Sequence, residues 1–253
     1  MYSILLEKLL EQLNYDAREI AEKMGKEALP ILLKRKNAKS ARERVLVLEC
    51  LAKIKGEEAV QALIEALDDP EEDVWNTALD LLYIANSPAF ISSLSSFVCE
   101  SPNAVIRGEV AKILGVMGAF SSLSIIKAQL AKEKDEEAAY KMILAVAKME
   151  DGPERKKVLE NLNHEDPRIR YETIRHLEYI NDGKLAKNLL PLLNDKTKVA
   201  NIGFVQKPIW QRICDRALEA IVFLTGKTLP FETGDKVYDE DQLRMARGLI
   251  SSG

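Results

Sequence analysis

The chain has 253 residues, 47% hydrophobic and 30% charged, with 6% aromatic residues, 12 Gly and 9 Pro. This balance is too apolar for a disordered protein and suits a helical one. A net charge of −4 argues against a general nucleic-acid binder, whose affinity rests on neutralising phosphates with a basic excess. No apolar run reaches membrane-spanning length, and the N-terminal stretch carries Glu7 and Lys8 with neither a basic leader nor a small-residue cleavage site. The expectation is a cytoplasmic protein with no membrane partner.

Taken in chain order, helix pairs are predicted at residues 15–36, 41–67, 72–98, 104–132, 136–161, 168–193 and 208–226, with a C-terminal cap at 227–253. The first helices share an anchor column of Leu48, Ala78, Val110, Ile143, Ile174 and Leu218. Its members stand roughly 30 to 33 residues apart except for a last gap of roughly 44, the period of a helical repeat. Three residues on, the column reads Leu51, Leu81, Ile113, Val146, Leu177 and Ile221. Six residues on, it reads Ile54, Ile84, Val116, Met149, Ile180 and Leu224. The spacing keeps all of these apolar residues on one stripe of a helix.

Eight residues beyond each anchor stand Gly56, Asn86, Gly118, Asp151, Asp182 and Gly226, types that tolerate the left-handed backbone used to stop a helix. A second apolar helix follows each stop. The pairs are separated by turns at Asp69-Pro70, Ser101-Pro102 and Asp166-Pro167, where Asp or Ser can cap the next helix and Pro fits its first turn. One pair cannot bury its own apolar faces, whereas neighbouring pairs can bury each other's.

This unit resembles the HEAT repeat, especially the short bacterial type also seen in phycobilin lyase subunits. The resemblance is carried by Ala59-Val-Gln-Ala-Leu-Ile-Glu-Ala-Leu-Asp-Asp-Pro70 with Val74, by Ser101-Pro102 with Ile106-Arg107, and by Asp166-Pro167 with Ile169-Arg170. Trp75 stands where the family usually has Arg. Covering about residues 15–226, it implies an all-α fold: a right-handed, HEAT/armadillo-like α-solenoid of about seven antiparallel helix pairs in a single domain, 1–253, whose second helices line the concave face. The family hosts scaffolds, transport receptors, regulators and a few enzymes, so it does not by itself assign an activity.

Departures from the repeat locate candidate surfaces. The long last gap implies an insertion near Asn194–Pro208, where exposing Ile202, Phe204 or Val205 would cost about 1.5–3 kcal/mol each relative to burial. These residues either cover the neighbouring helix or bind a partner. From Asn86 to Ala104 the only charge is Glu100, and Ser87, Ser92, Ser93, Ser95, Ser96 and Ser101 fall in the segment, followed by Phe120, Ser121, Ser122 and Ser124. Small uncharged side chains serve either close helix packing or the close approach of a partner segment. The basic cluster Lys34–Lys36 and the acidic run 68–73 sit at helix ends of favourable sign. In the cap, Phe231 and Tyr238 are expected to pin the terminal core beneath a helix over 240–250.

No cluster of residues forms a recognisable catalytic, cofactor or metal site. Cys50, Cys99 and Cys214 are scattered and read as buried free thiols, and only His164 and His176 could add imidazole. Trp210 with Asp215, or Trp75 with Asp73 and Asp80, supply the residue types of a helical-repeat alkylpurine glycosylase without its spacing, and both tryptophans read as packing residues early in first helices. The sequence therefore predicts a non-enzymatic adaptor, scaffold or inhibitory partner, without cofactor or metal. It would bind a protein segment near Ser92, Ser96, Phe120 and Ser124, with Ile202 and Phe204 in a clamping loop. The alternative is an enzyme or lyase subunit on HEAT repeats, phycobilin-lyase-like or glycosylase-like.

Overall fold

The structure, a computed structural model, describes residues 2–204 and 206–251; Val205 lies outside them. The chain is mainly helical and falls into two compact units, Met1–Ala145 and Val146–Gly253.

The first unit contains α1 (Tyr2–Glu11), α2 (Ala17–Met24), α3 (Leu29–Arg35), α4 (Ala41–Ile54), α5 (Glu57–Glu65), α6 (Glu72–Ala85), α7 (Ile91–Glu100), α8 (Ala104–Val116) and α9 (Leu123–Leu130). The division between the units falls inside α10 (Glu136–Met149). First helices pack on first helices, α2 on α4, α4 on α6 and α6 on α8, and second helices on second, α3 on α5 and α7 on α9. This side-by-side repetition is the solenoid pattern that the sequence period requires.

Local chemistry explains the helix ends. Ser40 caps α4 by accepting the Glu43 amide, and Asn103 caps α8 by accepting that of Val105 at 2.9 Å. Asn103 takes the role expected of Ser101, so Pro102 lies before the helix and not in its first turn; Pro167 alone of the three turn prolines opens a helix. Gly56, Gly118 and Gly226 have positive φ, and Asn86 is left-handed at 41°, as the stop column predicts. In the sixth pair the left-handed residue is Asn181, one place early, while Asp182 at φ −111° accepts the Lys184 amide and starts the next turn.

The stripe is buried at its first two positions, as in Leu48, Leu51, Ile174 and Leu177, except at Leu81 and Ile143, which are half-buried. Its third position divides the molecule. Met149, Ile180 and Leu224 are buried in the second unit, but in the first Ile54 and Val116 are half-buried and Ile84 is 77% exposed. The last turns of α4, α6 and α8 thus carry core-type residues that the chain leaves open.

An arginine in the first turn of three first helices ties each pair together. Arg44 makes two 2.7 Å bonds to Asp69 and one of 2.8 Å to the Ala38 carbonyl. Arg107 does the same with Glu133 and the Ser101 carbonyl, and Arg170 with Asp195 and the His164 carbonyl. The planar guanidinium suits this double duty, since its fork engages a carboxylate while its far nitrogen reaches the loop before the helix.

The second unit holds α11 (Pro153–Glu160), α12 (Pro167–Ile180), β1 (Lys198–Asn201), β2 (Trp210–Arg212), α13 (Ile213–Thr225) and α14 (Glu240–Ser251). The partner of α12 is not an α-helix but two 3-10 segments, Gly183–Leu189 and Pro191–Asn194. Pro191 has no amide to donate to the Lys187 carbonyl and its ring would clash there; that carbonyl instead accepts the Leu190 amide at 3.3 Å.

The insertion is a β-hairpin. β1 and β2 pair antiparallel with Asn201 opposite Trp210 and Lys198 opposite Arg212, and a bulge between Lys198 and Ala200. Trp210 therefore lies in a strand and is 45% exposed, not packed early in a helix. Trp75 does open α6 and is half-buried.

Candidate binding groove

The serine-rich helix α7 forms one wall of a groove of about 700 Å³ in the first unit, facing the turn before α9. Pro88, Ile91, Ser92, Ser96, Cys99, Glu100, Ser121 and Ile125 line it, so Glu100 is its one charged lining residue. At its floor Ser95 and Ser122, both buried, share a hydrogen bond of 2.7 Å. Ser95 also donates to the Ile91 carbonyl at 2.6 Å, and Ser96 to that of Ser93 at 2.8 Å. These helix-internal bonds satisfy the Ser95 and Ser96 hydroxyls locally, leaving a surface of small side chains charged only at Glu100.

Ala89 also borders a second cavity of about 450 Å³. This one is lined by apolar side chains, among them Leu51, Val60, Leu63, Leu81 and the exposed Ile84, with Lys55 and Glu57 at its edge. The open third stripe position and the serine groove thus meet at one residue.

Of the residues predicted from sequence, Ser92 and Ser96 line the groove. Phe120, 66% exposed, and Ser124 are on the adjoining turn and on α9, and neither is a lining residue. Ile202 and Phe204 belong to the hairpin of the second unit, where Ile202 is half-buried and Phe204 is 81% exposed. Phe204 therefore does not cover a neighbouring helix. Cys50 and Cys214 are buried and free as expected, but Cys99 is exposed, because it stands on the groove face of α7. Burial pushes the Cys50 thiol up to about 12 and the Cys214 thiol to about 11.

A buried polar cluster lies in the second unit around Tyr238, an expected pin of the cap, whose polar partners the sequence did not suggest. Asp215, fully buried, accepts Arg212 N at 2.8 Å, Arg212 Nε at 2.9 Å and the Tyr238 amide at 3.0 Å. Glu219 accepts both Gln211 Nε2 and the Tyr238 hydroxyl, and Gln211 in turn accepts the Tyr171 hydroxyl at 2.6 Å. Arg216 joins Glu219 to Glu178. Burial raises the Glu178 carboxyl above its ordinary value despite that arginine, and pushes the Tyr238 hydroxyl up to about 12. The cluster docks the cap: Tyr238 is 3% exposed, and the Phe231 ring lies 6.0 Å from it, centroid to centroid. Asp215 is thus an anchor for the cap, with its carboxylate occupied, and not a free base beside Trp210. Beyond the two expected pins, the sequence signal was the Arg212/Asp215 spacing of a helix start. Among the described residues no group of three or more His, Cys, Asp or Glu is placed to hold a metal ion.

Residues 44–69, spanning most of α4 and all of α5, match the family model described as PBS lyase HEAT-like repeat. The fold is that of HEAT-like repeats. It is similar to the complex of CpcE and CpcF of phycocyanin lyase from Nostoc sp. PCC7120, at 18% identity and a TM-score of 0.50 over 93% of this chain and 88% of that one. It is also similar to YibA of Escherichia coli, at 19% identity and a TM-score of 0.54 over 98% and 92% of the two chains. No curated protein sequence matches the chain. The expectation of a chain that is not an enzyme is corrected by these findings. The repeat model is named for PBS lyase and the solved complex is a phycocyanin lyase, so the want of a recognisable catalytic motif does not exclude lyase function on this fold.

Proposed function

We propose that this chain is a HEAT-repeat subunit of a lyase-type assembly that seats a segment of a partner protein in the groove between α7 and α9. The observation that carries the reading is the groove itself, uncharged but for Glu100, floored by hydroxyls bonded to one another and sharing Ala89 with the apolar cavity beside Ile84. Such a surface recognises shape and apolar contact more than charge, and its short side chains let a helix or extended strip lie close. Phe120 and Ser124 extend the contact along the next pair. The phycocyanin lyase of similar fold is itself a complex of CpcE and CpcF, which supports a role beside another polypeptide. Three free cysteines, Cys99 exposed among them, fit a reducing compartment such as the cytoplasm.

The test places a photo-crosslinking residue at position 96 in the native cell. The protein it captures is then purified and incubated with an open-chain tetrapyrrole, with and without this chain. The expected result is a coloured covalent adduct on the captured protein that forms faster with the chain present. The Ser92→Arg, Ser96→Arg double variant should lose both crosslink and acceleration at unchanged helicity. Adduct formation indifferent to the chain, or to the double substitution, would overturn the reading.

A further inference from the structure

The hairpin of the second unit exposes side chains that a folded chain ordinarily covers. Phe204 near its tip is 81% exposed, Ile209 46% and Trp210 45%. The tip is nonetheless tightly built. A Cβ on Gly203 would stand 2.5 Å from the Lys207 carbonyl oxygen and 2.6 Å from the Ile209 nitrogen, so only glycine fits there. Asn201 Oδ1 accepts the amides of Gly203 at 3.0 Å and Ile209 at 3.1 Å. Ile202 donates its amide to the Ile209 carbonyl at 2.8 Å, and Lys207 to that of Phe204 at 3.0 Å.

Charge adds a second, independent observation. From Lys196 to Arg212 the chain carries three lysines and one arginine and no Asp or Glu. Arg212 is engaged by Asp215 and Lys196 by Glu240. Lys198 and Lys207 are exposed and without an ion-pair partner among the described residues.

An exposed apolar tip, four backbone amides (Ile202, Gly203, Lys207 and Ile209) bonded within the hairpin, free cations beside it and an indole to sit at the boundary together match an anionic bilayer surface. Internal pairing is what lets peptide leave water for lipid, which offers no donors or acceptors. A protein partner could supply its own. A nucleic acid would call for cations along a phosphate track, and the aliphatic Ile209 gains nothing from base stacking. We propose that the 198–212 hairpin is a peripheral membrane anchor that seats Phe204, Ile209 and Trp210 at an anionic lipid surface, with Lys198 and Lys207 against the headgroups. Such contact is distinct from spanning, for which no helix among the described residues is long and apolar enough.

The experiment uses the full chain and sedimentation with vesicles of equimolar phosphatidylcholine and phosphatidylserine, against phosphatidylcholine alone. A Trp75→Phe background leaves Trp210 as the sole indole of the two. Expected are binding to the acidic vesicles, a blue shift of Trp210 emission and loss of binding at high salt. Phe204→Ser should weaken binding roughly tenfold, and Lys198→Glu with Lys207→Glu roughly tenfold or more, each at unchanged circular dichroism. No sedimentation with acidic vesicles, equal binding to neutral ones, full binding by Phe204→Ser, or sedimentation that requires an added protein or nucleic acid would each overturn the proposal.

Discussion

Arg107 Nε and Nη2 each lie 2.7 Å from one carboxylate oxygen of Glu133, whose side chain is 2% exposed. That geometry holds the Glu133 carboxyl well below the ordinary range, at about 2. Arg107→Ala removes the partner of a buried charge, and the expected cost is about 3 kcal/mol, read as a lower urea midpoint. The sign of the pH effect follows from the lowered value. The pair contributes fully above the ordinary carboxylate pKa of about 4.3 and its contribution is lost as pH falls toward about 2. Urea midpoints of Glu133→Gln and the parent chain should therefore converge in acid; a gap that stays constant would contradict this.

The cap depends on one carboxylate more than on the tyrosine hydroxyl. Asp215→Asn disturbs four hydrogen bonds at a fully buried site and is expected to cost about 3 kcal/mol. Tyr238→Phe removes the hydroxyl contacts to Glu219 and Gly234 and should cost about 1 kcal/mol. Limited trypsin digestion at Lys227 and Lys236 would rank the two variants, with Asp215→Asn cut first.

The three thiols should differ sharply in reactivity. In the native chain a maleimide is expected to label Cys99 alone, because Cys50 and Cys214 are buried and burial suppresses their thiolates. Intact mass would show one adduct in buffer and three after denaturation in urea, matching the three cysteines of the chain. Labelling of Cys50 under native conditions would contradict the burial described.

Gly203→Ala tests how the hairpin tip is held. The added carbon meets backbone atoms at 2.5 and 2.6 Å, so the tip must open. Hydrogen exchange of the Lys207 and Ile202 amides should quicken, while global stability changes by less than about 1 kcal/mol because Gly203 is only half-buried and the neighbouring Phe204 and Lys207 are exposed.

The repeat was legible because burial imposes it on every pair: Leu51 and Leu177 must be apolar wherever two helices share a core. Ile84 shows the limit of that signal. Its stripe position is apolar like those of Ile180 and Leu224, yet nothing in its own sequence says that the neighbouring chain leaves it open. Ser92 and Ser96 could be found as a break in charge, because neutrality persists over the whole segment. The hairpin was missed in form, since Val199, Ile202 and Ile209 alternate too irregularly around a bulge to read as strands. The cap network was missed in substance. Gln211, Glu219 and Tyr171 are polar types normally found outside, and only three-dimensional proximity makes them a buried set. Arg107 and Arg170 were visible beside Ile106 and Ile169, whereas Arg44 follows Glu43 and carries no such sign; the carboxylates of all three lie 25 or 26 residues away and vary between Asp and Glu.

Those three arginines have a mechanical consequence. Each fastens the loop entering a helix pair to the acid that closes it, so tension applied along the chain is carried across the pair's ends and not through its core. Trp75, at the equivalent place in the pair between Arg44 and Arg107, offers no such strap. Under tension along the chain, the tryptophan pair would lengthen before the strapped pairs on either side of it, as links of unequal strength.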